Sequence, residues 1–141
     1  MTPLRVVIVD DEPDAVKLLQ MQVEQHCPQV TVVGSFTSST AALQGIKELQ
    51  PHLLFLDVEM PVMNGFELLE QLYPQTFSIV FVTAYNQFAL KAFKFNALDF
   101  IVKPVDTQEL VQAVAKAERQ VKPSTDQLSQ LQKGLRGEPI T

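Results

Sequence analysis

LRVVIVDD (residues 4–11), LLFLD (53–57), SIVFVT (78–83) and DFIVKP (99–104) each run apolar and then end in chemistry. The first delivers Asp10 and Asp11, the second Asp57, the third Thr83 and the fourth Lys103 followed by Pro104. If these runs are neighbouring parallel strands, their carboxyl ends lie along one edge of a sheet. Three carboxylates, a hydroxyl and an amine then share one crevice. That set suits a divalent metal ion and a phosphoryl group.

Strand-like runs begin near Leu4, Val30, Leu53, Ile79 and Phe100, at the spacing of repeated βα units. Helical segments fall between and after them. Ala15–His26 carries Val16, Leu19 and Val23 on one face, and Ser38–Leu49 opens on capping hydroxyls and turns Ala42, Leu43 and Ile46 inward. Gly65–Leu72 is short, and Gln87–Asn96 follows Asn86 as its expected cap. Asp106–Val121 starts on an Asp-Thr-Gln-Glu signature and has Leu110, Val111 and Val114 as its stripe. Continuous rather than alternating apolar strands fit a parallel sheet covered on both faces. The expected fold is α/β, a doubly wound five-stranded parallel sheet in the order 2-1-3-4-5 with five helices. In such sheets ligands bind at the carboxyl ends of the strands.

The 141 residues, 46% hydrophobic and 19% charged, fit one globular domain with a tail. Residues 1–121 form the expected domain. From 122 to 141 the composition turns to Pro, Ser, Thr, Gln and Gly, which is linker composition leading toward a further domain. Leu128, Leu131 and Leu135 recur there at helical spacing. No apolar run reaches the roughly 20 residues that span a bilayer, and the amino terminus turns acidic at once, so a cytoplasmic location is expected. The lone Cys27 excludes an intrachain disulfide and reads as a small buried hydrophobe, while His26 and His52 stand near prolines at element boundaries. Net charge is −5, and residues 1–121 carry 8 Lys/Arg against 14 Asp/Glu. An acidic body lacks the electrostatic footprint of a nucleic-acid binder, so these residues are not expected to grip DNA themselves.

Adjacent Asp10 and Asp11 at an apolar strand end repel each other, and a hard cation such as Mg²⁺ relieves that repulsion. Asp57, on the central strand beside them, is placed to act as a nucleophile toward phosphorus. Thr83 can donate its hydroxyl to a phosphoryl oxygen. Lys103 at a buried strand end requires an anionic partner, and Pro104 after it is a candidate cis residue in a tight turn.

Taken together, VIVDDEP, LLFLDVEMPVMNGFELL, VFVTAY and NALDFIVKPVD resemble the signature segments of a bacterial two-component response-regulator receiver domain, over residues 4–121. TAYNQFALKAFKFNALDFIVKPVD is most similar to receivers that precede a LytTR-type DNA-binding domain. The resemblance implies that Asp57 is the phosphoacceptor, that Asp10 and Asp11 hold Mg²⁺, and that Glu59 offers its backbone carbonyl to the metal. It further implies Thr83 as switch hydroxyl, Lys103 as phosphoryl-pairing lysine and Phe100 as switch aromatic. A sensor histidine kinase is the implied donor, and DNA is reached through a LytTR domain outside these residues.

Three further expectations follow. Phosphorylation promotes a homodimer through the fourth helix, fifth strand and fifth helix, where Lys91 and Lys94 face Asp99, Asp106, Glu109 and Glu118 across a two-fold axis. Tyr85 and Glu59 flank the path of a hydrolytic water and tune dephosphorylation. The chain is not an enzyme beyond its own phosphorylation and dephosphorylation. The alternative is a metal-dependent phosphohydrolase with a covalent aspartyl phosphate, but Glu59 stands where such enzymes carry a second Asp and no cap insertion is present. A flavodoxin-like carrier is disfavoured because DDEPDA replaces the phosphate-cradling loop.

Overall fold

The computed structural model describes residues 3–121, so the expected linker and its leucines lie outside the described residues. Strands β1 (Leu4–Val9), β2 (Val30–Phe36), β3 (Leu53–Leu56), β4 (Ser78–Thr83) and β5 (Asp99–Val102) form one sheet. All pairings are parallel and the order is β2-β1-β3-β4-β5, as expected. Helices α1 (Pro13–His26), α2 (Ser39–Leu49), α3 (Gly65–Leu72), α4 (Ala89–Lys94) and α5 (Thr107–Gln120) cover it.

Side chains alternate across the sheet, so each strand feeds two cores. Val6, Ile8, Leu53, Phe55, Val80, Val82 and Ile101 pack against α1 and α5. Val7, Val9, Leu54, Leu56, Ile79 and Phe81 pack with residues of α2, α3 and α4. The central strands are buried on both faces, which is why they read as unbroken apolar runs. β2 and β5 are edge strands and only half-buried, a departure from uniform coverage.

Several element boundaries differ from the sequence reading. α1 starts at Pro13, because proline at the first helical turn gives up no hydrogen bond. The fourth helical segment is broken into a 3₁₀ turn at Asn86–Phe88 and the short α4, and Asn86 lies inside that turn rather than capping it. In α5 the buried stripe is Leu110, Ala113, Val114 and Ala117, while Val111 is exposed. Small alanines on that stripe let α5 approach α1 closely. Ser38 caps α2 through Ala41 N–H as expected, and Leu43 is half-buried beside Ala42 and Ile46. Cys27 is buried with a free thiol that burial, then the Glu118 charge, pushes up, so it is an inert packing group. His26 closes α1, and His52 Nδ1 accepts from the Arg5 amide in the loop before β3.

Candidate functional site

Parallel register assembles the site. Val9 pairs with Leu56, so the next residues, Asp10 and Asp57, leave adjoining strands side by side. Thr83 pairs with Val102, which sets Lys103 one residue beyond the end of that pair. The alternation then divides the residues by face. Asp10, Asp57 and Lys103 continue the rows on the α1/α5 side, whereas Thr83 and Phe100 continue those beneath α3 and α4.

Lys103 Nζ donates to Asp10 Oδ2 at 2.6 Å and to Asp57 Oδ2 at 3.3 Å. Asp10 and Asp57 are 5% and 6% exposed, so these are charges taken largely out of water. Burial first, and the Asp10 charge second, push the Asp57 carboxyl above the ordinary carboxylate range. The Lys103 ammonium opposes that rise. Burial pulls the Lys103 ammonium down, yet the Asp10 and Asp57 carboxylates outweigh it and leave it raised. One ammonium therefore balances two buried carboxylates only in part.

Asp11, half-exposed at the rim, completes a cation-sized constellation: oxygens of Asp10, Asp11 and Asp57 lie within 4.8 Å of one another. This all-oxygen donor set with surplus negative charge fits Mg²⁺. Each buried acid accepts a backbone bond, Asp10 Oδ1 from Glu12 N–H at 3.0 Å and Asp57 Oδ1, more weakly, from Glu59 N–H at 3.4 Å. Glu59 itself points its side chain to solvent.

Thr83 is fully buried, and its Oγ1 finds no hydrogen-bond partner among the described residues. A buried hydroxyl left without an acceptor costs about 1–3 kcal/mol and is poised for a ligand oxygen. The Lys103–Pro104 peptide is cis, as the sequence reading anticipated. Phe100 is not in the pocket. It is half-buried on β5, with its ring 6.4 Å from Phe81. Tyr85, two residues after Thr83, is 47% exposed and edge-on to Phe88 at 6.3 Å.

Two supports escaped the sequence reading. Gly65 N–H donates to Val58 O at 2.8 Å, and a Cβ at Gly65 would lie 2.5 Å from the Asp57 carbonyl oxygen. Glycine thus lets α3 close against the Asp57 loop, and the Asn-Gly pair before the helix was its available signal. Gln22 of α1 donates through Nε2 to Val105 O at 3.2 Å. Nothing in the sequence marked that contact.

The sheet edge thus gathers Asp10, Asp11 and Asp57, with Lys103 bonded to the first and the last of them. A family model described as the response regulator receiver domain matches residues 6–115. The chain belongs to that family, the receiver domains of two-component response regulators. It is similar to the sensory transduction protein LytT of Enterococcus faecalis, 42% identical over 120 residues, which are 84% of this chain and 49% of that protein. The transcriptional regulatory protein BtsR of Escherichia coli K12 is 32% identical over 140 residues, 98% of this chain and 58% of that protein. The expected likeness to LytTR-type regulators is borne out by these relatives. The chain spans about half the length of the curated relatives it matches. Among solved structures, the response regulatory domain of mrkE from Klebsiella pneumoniae superposes with a TM-score of 0.74 at 29% identity, covering 82% of this chain and 95% of that one. Among the described residues no helix is long and apolar enough to cross a membrane.

Proposed function

We propose that Asp57 accepts a phosphoryl group from a sensor histidine kinase in a Mg²⁺-dependent reaction, and that the modified site resets the α4-β5-α5 surface. The observation that carries this reading is the Lys103 ammonium held between Asp10 and Asp57. An Asp57 oxygen forms a P–O bond as the P–N bond of the donor phosphohistidine breaks, and the imidazole leaves. Asp10, Asp11 and Asp57, with the Glu59 backbone carbonyl, would hold Mg²⁺. When bound, that ion offsets charge on the transferring phosphoryl oxygens. Lys103 pairs with a second phosphoryl oxygen. Thr83 donates its free hydroxyl to a third, which satisfies the buried group and draws it toward Asp57. The half-buried Phe100, on the same face as Thr83, then packs into the space beneath α4.

Acetyl phosphate with Mg²⁺ should add one phosphate to the intact mass, and EDTA should prevent it. Undiminished uptake in EDTA would contradict the metal's role. Receiver-family membership favours this signalling role over the phosphohydrolase alternative. Residues 122–141 are read as a linker to a LytTR-type domain that carries DNA binding, with the whole regulator acting in the cytoplasm.

The resettable surface supports a phosphorylation-promoted homodimer, with an apolar contribution beside the expected charges. Asp99 is paired with Lys116 at 3.1 Å, Asp106 caps α5, Glu118 accepts from Gln29, and Lys91 lies over the Phe66 ring at 4.7 Å. Leu90, Phe93, Val102 and Val111 are exposed on the same three elements. An apolar patch repeated by a two-fold axis covers itself. Sedimentation with beryllofluoride should show a dimer that Phe93→Ser abolishes, and a beryllofluoride-bound monomer at high concentration would contradict it.

Tyr85 and Glu59 are assigned to dephosphorylation tuning. Hydrolysis needs a water in line with the Asp57–phosphorus bond, and the Tyr85 ring at the rim obstructs that line. Tyr85→Ala should lose phosphate several-fold faster, a barrier change of about 1 kcal/mol. Equal or slower decay would release Tyr85 from this role.

A further inference from the structure

We infer that Gln22 of α1 is a positioning residue for Lys103, holding the β5–α5 loop at the height that brings the ammonium to Asp57. This rests on the phosphoacceptor reading above. The loop that carries Lys103 and cis-Pro104 is tied down by packing and by a hydrogen bond to α1. Val105 packs its side chain against the core cluster that contains Val16, Leu19 and Val23 of that helix. Gln22 Nε2 donates to the Val105 carbonyl at 3.2 Å, across 83 residues of sequence. Lys103 sits two residues upstream of that carbonyl, with Nζ 2.6 Å from Asp10 and 3.3 Å from Asp57.

The arrangement is costly for Gln22. Its Oε1 is buried and has no hydrogen-bond partner among the described residues. A side chain serving packing alone at this position would be better apolar, since a buried amide with half its capacity unused loses free energy. The single bond it does make fixes the orientation of the amide, because a carbonyl accepts only from the NH₂ end. That bond lands on the loop bearing Lys103. α1 also follows directly from Asp10 and Asp11, so the same helix ties the carboxylates at its start to the lysine loop at its third turn. The asymmetry between 2.6 and 3.3 Å places Lys103 nearer Asp10, and a small rise of the loop would carry it out of reach of Asp57.

The test is a cycle of four proteins, wild type, Gln22→Met, Lys103→Ala and the double variant, labelled with acetyl phosphate and Mg²⁺. Gln22→Met keeps the shape and removes the donor. It should slow labelling by about tenfold, the scale expected for a misplaced reacting group. In the Lys103→Ala background it should add nothing, because the residue acts through the lysine. Gln22→Lys restores a donor to Val105 O and should recover the rate. Mg²⁺ affinity by calorimetry should stay as in the wild type for Gln22→Met. Wild-type labelling in Gln22→Met, or an independent further slowing of Lys103→Ala, overturns the inference. A ¹⁵N-lysine spectrum gives a readout that needs no phosphorylation. The Lys103 ammonium, protected by its two carboxylates, should give a resolved cross-peak that Gln22→Met broadens or loses. An unchanged cross-peak counts against Gln22, whereas failure of the wild type to label counts against the phosphoacceptor reading instead.

Discussion

Replacing Phe66 by alanine is expected to cost about 3–5 kcal/mol of folding free energy, the usual range for a fully buried phenylalanine. Phe66 is 2% exposed, and its ring lies 5.0 Å from Phe81, 5.0 Å from Phe95 and 6.1 Å from Phe88. It is therefore the common neighbour of β4, the 3₁₀ turn and the carboxyl end of α4. α4 has six residues, too few to be helical on its own, so its position depends on this packing. The cavity left by alanine would loosen the surface that is proposed to respond to phosphorylation. Urea unfolding followed by circular dichroism measures the loss. A change below about 1 kcal/mol would show that the ring cluster does not hold α4 in place.

Asp57→Asn should act in the opposite direction on stability. The Asp57 carboxyl is raised in the folded protein, by burial and then by Asp10. A raised carboxyl binds its proton more tightly folded than unfolded, so wild-type stability falls as pH rises from the unfolded carboxylate value through the folded one. The penalty grows until pH has passed the folded value. Asparagine removes the charge and keeps the size, while Lys103 retains its 2.6 Å partner Asp10. In EDTA at neutral pH the variant should unfold at higher urea than the wild type. The gap should narrow below the carboxylate range, where Asp57 is neutral in both states. A variant less stable than the wild type at neutral pH would mean that the bond to Lys103 outweighs the crowding.

The residues that meet at the sheet edge were legible because register and alternation are properties of strands alone. Once the apolar runs ending at Val9, Leu56, Thr83 and Val102 are parallel neighbours, Asp10, Asp57 and Lys103 must converge on one face and Thr83 must end at the same sheet edge. What escaped depends on how helices settle against that sheet. Val111 outranks Ala113 in hydrophobicity, yet the close approach of α5 to α1 selects the small residue for the buried stripe. Asn86 has the chemistry of a cap, but the chain enters α4 through a 3₁₀ turn, and Phe88 packs near Phe66 beneath it. Of the charges counted toward a dimer contact, Asp99, Glu118, Lys91 and Asp106 are engaged by Lys116, Gln29, the Phe66 ring and the start of α5, partners separated from them in sequence or hidden in a cap. Gln22 shows the limit most plainly, since a glutamine on a helix carries no mark of a carbonyl 83 residues away.

Asp57 alone is proposed to take the phosphoryl group. Wild type and Asp57→Asn should be treated with acetyl phosphate and Mg²⁺, reduced with borohydride to convert aspartyl phosphate to homoserine, and mapped by peptide mass. Homoserine is expected at position 57 in the wild type and at no position in the variant. Equal phosphate uptake by Asp57→Asn, or homoserine at Asp10 or Asp11 in the wild type, would contradict it.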